Sequence, residues 1–142
     1  KILNLASLKD REKAHCYRGL GSVAAEEHKY DEAHRYFRKG FDIWQKLDDE
    51  VNGMEECKNI GDMLFYLGHF KQALEYLQTA AAYFESNGYQ MECARIYGMI
   101  GHIMGVNKQW DNCLMCYELQ LQIRKGILDP NHEDIGITHA NI

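Results

Sequence analysis

Proline occurs once in the 142 residues, at Pro130. That scarcity, with abundant Ala, Leu, Glu, Gln and Lys, favours helix over sheet. Basic charge is not in excess: 16 Lys and Arg stand against 21 Asp and Glu, for a net charge of -5. This balance argues against nucleic acid as the main partner. No apolar run reaches the length of about 18 residues that a membrane helix needs, and no charged-then-apolar leader opens the chain. The five cysteines are an odd number scattered through helical segments, which points to reduced thiols rather than a secreted disulfide framework. Metal spacing is also missing. Cys113 and Cys116 form a Cys-x-x-Cys pair with no second pair to complete a zinc site, and no His-x-x-x-His occurs. A phosphate-binding loop is lacking too, because Gly19-x-Gly21 has neither a third glycine nor a preceding strand. The expectation is a non-enzymatic chain with no catalytic residue, cofactor or metal.

What is present is a repeat. Gly21, Gly61 and Gly101 lie forty residues apart, and each follows an apolar residue: Leu20, Ile60, Ile100. Before them stand Tyr17, Cys57 and Tyr97. After each glycine come an aromatic (Tyr30, Phe70, Trp110), a small residue (Ala33, Ala73, Cys113) and a large one (Phe37, Leu77, Tyr117). A fixed period of this size marks stacked helical units.

The first copy places helix A from about Asp10 to His28, with Ala14, Tyr17, Leu20, Gly21 and Ala24 in one stripe. A turn follows at His28-Lys29-Tyr30, and Asp31 is expected to cap helix B. Helix B carries Ala33, Tyr36, Phe37, Gly40, Ile43, Trp44 and Leu47 inward. The second copy reads as helix A near Asn52 to Leu67, a turn at Gly68-His69-Phe70, and helix B near Lys71 to Ser86, closed by Asn87-Gly88. The third has helix A near Gln90 to Asn107 and helix B near Asp111 to Gly126, with Asp111 as cap. The matched glycines are expected to sit where the two helices approach closely, against Ala33, Ala73 and Cys113. Cys16, Cys57, Cys93 and Cys113 read as small packing residues.

The order aromatic-x-x-Leu-Gly, then Ala-x-x-x-Phe, resembles the tetratricopeptide repeat (TPR) over nearly the whole chain. The repeats are longer than the usual ones of about 34 residues. The core Asn59-Ile60-Gly61-Asp62 resembles that of the Pins/LGN adaptors. The loop Leu128-Asp129-Pro130-Asn131-His132-Glu133-Asp134-Ile135 is similar to that of kinesin light chains. HEAT or armadillo repeats, which share the period, lack this residue spacing, and WD40 blades need strands that the composition denies.

The resemblance implies an all-α fold: a right-handed α-solenoid of antiparallel helix pairs. One domain over residues 1–142 is expected, with repeats at about 10–49, 50–89 and 90–129 and partial helices at 1–8 and 133–142. Because it starts at Lys1 and stops within a motif, the chain reads as a piece of a longer protein.

The resemblance further implies a scaffold or adaptor that binds a protein or peptide segment on the concave face of the first helices. Nucleic acid and membrane insertion are not implied, and a cytoplasmic setting is expected, with cytoskeletal association as one option. The residues it places on that face are Arg18, Lys58, Asn59, Asp62, Phe65, Tyr66, Arg95, Met99 and His102. Arg18, Lys58 and Arg95 are expected to hold carboxylates of the partner, and Phe65, Tyr66 and Met99 to act as apolar anchors. Two other roles stay open. One is a structural segment whose groove is filled from within the protein; the other is a peptide-sensing regulatory domain.

Overall fold

The computed structural model describes residues 2–127, and side chains from residue 9 to residue 126. All regular structure among the described residues is helical: α1 (Ile2–Glu26), α2 (Tyr30–Lys46), α3 (Glu50–Tyr66), α4 (Phe70–Ser86), α5 (Gln90–Val106) and α6 (Trp110–Ile127). Three-residue connections make neighbouring helices antiparallel. The expected partial helix at 133–142 lies outside the described residues.

The five connections share one conformation. His28, Asp48, Gly68, Gly88 and Lys108, spaced every twenty residues, all have positive φ. At each, two backbone bonds close the preceding helix. After α4, Tyr89 N donates to Phe84 O at 2.8 Å and Gly88 N to Glu85 O at 3.4 Å. After α1, Lys29 N donates to Ala24 O at 2.8 Å and His28 N to Ala25 O at 3.0 Å. This paired closure satisfies carbonyls that a helix end leaves open.

Several boundaries differ from the sequence reading. α1 runs unbroken over Ile2–Glu26, so residues 2–8 belong to it. Asp31 and Asp111 are not caps. α2 and α6 begin one residue earlier, at Tyr30 and Trp110, and both acids fall in the first turn, where they meet the helix dipole. The side-chain cap occurs instead on α3, where Asp49 accepts from Asn52 N at 3.1 Å.

Helix contacts group into two compact units, Lys1–Tyr76 and Leu77–Ile142. In the first, α2 packs on both α1 and α3. Its core holds Ala14, Ala33, Phe37, Trp44, Ile60 and Leu64. In the second, α5 packs on α6, with Phe84, Ile96, Ile100 and Ile103 buried.

Two of the matched glycines, Gly21 and Gly101, sit at close approaches, and only Gly101 meets its expected partner, Cys113. A methyl on Gly21 would meet the Phe37 ring at 2.6 Å, not Ala33. On Gly101 it would meet Cys116 Cβ at 3.1 Å and the Cys113 carbonyl at 3.6 Å. Leu20, expected in the inner stripe, is 48% exposed. Tyr36, Ile43 and Leu47 are half-buried. Cys57 and Cys93 are buried packing residues, and burial pushes the Cys57 thiol up to about 11. Cys16 is exposed and Cys113 half-buried, so neither is a core residue.

Candidate functional site

In the first unit the site is built on α1 and α3, which side chains bridge directly. Glu56 is the keystone. It is fully buried on α3, at a phase where the third repeat carries the buried Ile96. Gly40 makes room for it: a methyl there would lie 2.9 Å from Glu56 Oε2. That oxygen accepts from Arg18 Nε at 3.2 Å and from Trp44 Nε1 at 3.1 Å. Glu56 Oε1 accepts from Asn59 Nδ2 at 3.1 Å. A buried carboxylate needs such a complete set of donors, since an unpaired one costs several kcal/mol.

Arg18 is held from several sides. Its Nη2 reaches Asn52 Oδ1 at 3.2 Å and its guanidinium stands 5.9 Å from the Trp44 ring centroid. Its side chain is nevertheless 27% exposed. Two turns earlier, Arg11 donates to Asp49 Oδ2 at 2.8 Å and also lies over Trp44. Burial alone would raise the Asp49 carboxyl. Hydrogen bonds from Asn52 and Arg11 outweigh it and hold Asp49 below its ordinary value.

Further along α3, Lys58 donates to Glu55 at 2.9 Å. Phe65 makes ring contacts with Tyr66 and Phe70. Tyr66, 53% exposed, stacks on Tyr30 at 4.6 Å with the rings 10° from parallel. The Asp62 carboxylate, more than burial, raises its hydroxyl pKa. Arg18 and Asn59 therefore meet through Glu56, and Asp62 and Tyr66 meet one turn apart. Lys58, Asn59, Asp62, Phe65 and Tyr66 recur at helical spacing on α3.

The second unit carries Arg95, Met99 and His102 on α5, again at helical spacing. Arg95 is exposed and donates to Glu92 at 3.0 Å. Met99 is half-buried and His102 exposed. All three candidate cations thus already have an acidic partner in this chain. Glu56 escaped the sequence reading, and Trp44 entered it only as an inward-facing residue of helix B. The available signal was an acid at the phase of an apolar stripe, opposite the small Gly40.

Residues 13–47, the second part of α1 with α2, match the family model described as "Tetratricopeptide repeat". Among solved structures, the TPR domain of Arabidopsis FLU superposes with a TM-score of 0.76 at 14% identity, covering 82% of this chain and 98% of that one. The fold is the tetratricopeptide-repeat fold. BtubC (BKLC) from P. vanneervenii is similar as well, with a TM-score of 0.80 at 18% identity over 90% of this chain. The chain spans about half of that protein, 53% of its length. No curated protein matches the sequence. TPR folds generally mediate protein–protein interactions and are typically non-enzymatic. Among the described residues, no helix is long and apolar enough to cross a membrane.

Proposed function

We propose that this TPR chain is a non-enzymatic adaptor that holds a segment of a partner protein along the first-helix faces of its repeats, in the concave groove the family resemblance implies. The supporting observation is Arg18. Glu56 and Asn52 fix its guanidinium over Trp44 while part of it stays open to solvent. A cation ordered before binding loses little entropy on meeting a carboxylate or backbone carbonyl. Asn59 beside it offers an amide for the partner's backbone, and Tyr66 an exposed ring for an apolar anchor. Arg95, Met99 and His102 supply a similar mixed face in the second unit. Acidic residues on the partner complement Arg18, Lys58 and Arg95. Reduced thiols, two of them buried, support a cytoplasmic setting.

The pairing of all three cations with acids of the same chain favours one alternative: a structural segment whose face needs no external ligand. Affinity capture from cell extract with wild type and with the triple variant R18A/K58A/R95A separates the two. An adaptor retains specific proteins that the folded triple variant releases. A structural segment retains the same proteins with either. Arg18→Lys refines the result, because it keeps a charge for Glu56 but loses the planar fork that reads a ligand carboxylate.

A further inference from the structure

The second unit contains a cleft of about 410 Å3 between α4, α5 and α6. Its floor is Ala81 and Ile100, both buried. Met104, Met115, Tyr97 and Cys116 are among its walls, and Glu85 stands at its rim as the single charged residue.

Residues at matching repeat positions, forty earlier, differ from those of the cleft in size and charge. Phe41 stands where the cleft has Ala81, and Tyr76 where it has Cys116. Two rings are thus replaced by small side chains, while Tyr97, in place of Cys57, restores only one. Charge changes as well. Asp42 and Glu75 correspond to Ala82 and Met115, so two acids have become apolar. Arg38, which donates to the Tyr76 hydroxyl, corresponds to Gln78, and Gln45 to Glu85. A cation is lost and a carboxylate gained. The Glu85 carboxylate accepts only a long hydrogen bond, 3.4 Å, from the Tyr97 hydroxyl among the described residues.

We propose that this cleft is a second binding surface, distinct from the α1–α3 face, and that it takes a partner protein segment carrying a Leu, Met or Phe side chain one helical turn from a Lys or Arg. The apolar anchor enters between Ala81, Ile100 and Met104, and the cation meets Glu85. The volume falls in the range of about 300–1,000 Å3 typical of ligand pockets. Methionine walls adapt to more than one anchor shape. An isolated carboxylate beside apolar walls selects a cation by charge and disfavours an acid.

Short fluorescent peptides with such an anchor and a Lys or Arg one turn away test this by anisotropy on the 142-residue chain. Matched sets carry Glu in place of the cation, or Ala in place of the anchor. The cationic set is expected to bind about tenfold or more tightly than either control, a step of about 1.4 kcal/mol. The variant A81F/C116Y restores the residues of the matching positions and should abolish binding while keeping its helical circular dichroism. Glu85→Gln, at an exposed position, should bring cationic and acidic sets to equal affinity. No binding by the cationic set, equal binding of all sets, or unchanged binding by folded A81F/C116Y overturns the proposal. Should A81F/C116Y fail to fold, retention of the cation preference in Glu85→Gln overturns it. The α1–α3 face takes no part in these readouts, so its failure is seen separately.

Discussion

Glu56 shows how one residue ties local sequence to a candidate site. It orders Arg18, Asn59 and Trp44 together, and no buried side-chain nitrogen or oxygen among the described residues lacks a partner. Replacing it with alanine strands the Trp44 N–H and leaves Arg18 without its carboxylate. Glu56→Ala should therefore lower stability by about 3 kcal/mol, the low end for breaking a buried pair, because Arg18 remains partly hydrated. Urea melts measure this, and an unchanged midpoint would remove Glu56 from its central place. His34 gives a pH test. Burial first, then Arg38, lowers its pKa below the ordinary 6.5, with His69 adding to this and Asp31 opposing it. Between the lowered value and 6.5 the unfolded chain binds the extra proton. Stability from this group is thus complete above pH 6.5 and declines as pH falls toward the folded-state value. Melting series from pH 7.5 downward should show a steeper decline for wild type than for His34→Gln.

At the scale of helices and turns, the twenty-residue rhythm of positive φ was only half legible. Gly68 and Gly88 announce their turns, because glycine alone adopts this conformation without cost. His28, Asp48 and Lys108 do the same with no such signal. Asp tolerates the left-handed region better than Lys. Lys108→Gly should accordingly stabilise the chain by up to about 1 kcal/mol, whereas Gly88→Ala should destabilise it by about 1–2 kcal/mol. Differential scanning calorimetry on the pair checks both signs. The helix glycines give a second contrast within α1. Gly19 has open space where a methyl would go, so Gly19→Ala should stabilise by up to about 1 kcal/mol through helix propensity. Gly21→Ala drives a methyl into the buried Phe37 ring and should cost about 1–3 kcal/mol. Equal effects at the two positions would show that the matched glycine phase has no packing meaning.

Across the molecule, the six helices of the described residues and their helical-repeat fold were readable from the forty-residue period, since each copy must bury the same face. What the period conceals is the exception. Repeats predict resemblance, while Glu56, Gly40 and the Ala81–Cys116 cleft arise where one copy departs from the others. The internal acid partners of Arg18, Lys58 and Arg95 also needed three dimensions, because spacing places a cation on a face without saying what already faces it. Site-specific photo-crosslinking tests the adaptor reading most directly. A benzophenone amino acid at Tyr66, exposed on α3, is compared in cells with one at Lys39, exposed on α2. An adaptor that uses its first-helix face forms a discrete covalent adduct with another protein from position 66 and not from position 39. No adduct at position 66, or the same adducts at both, would contradict it.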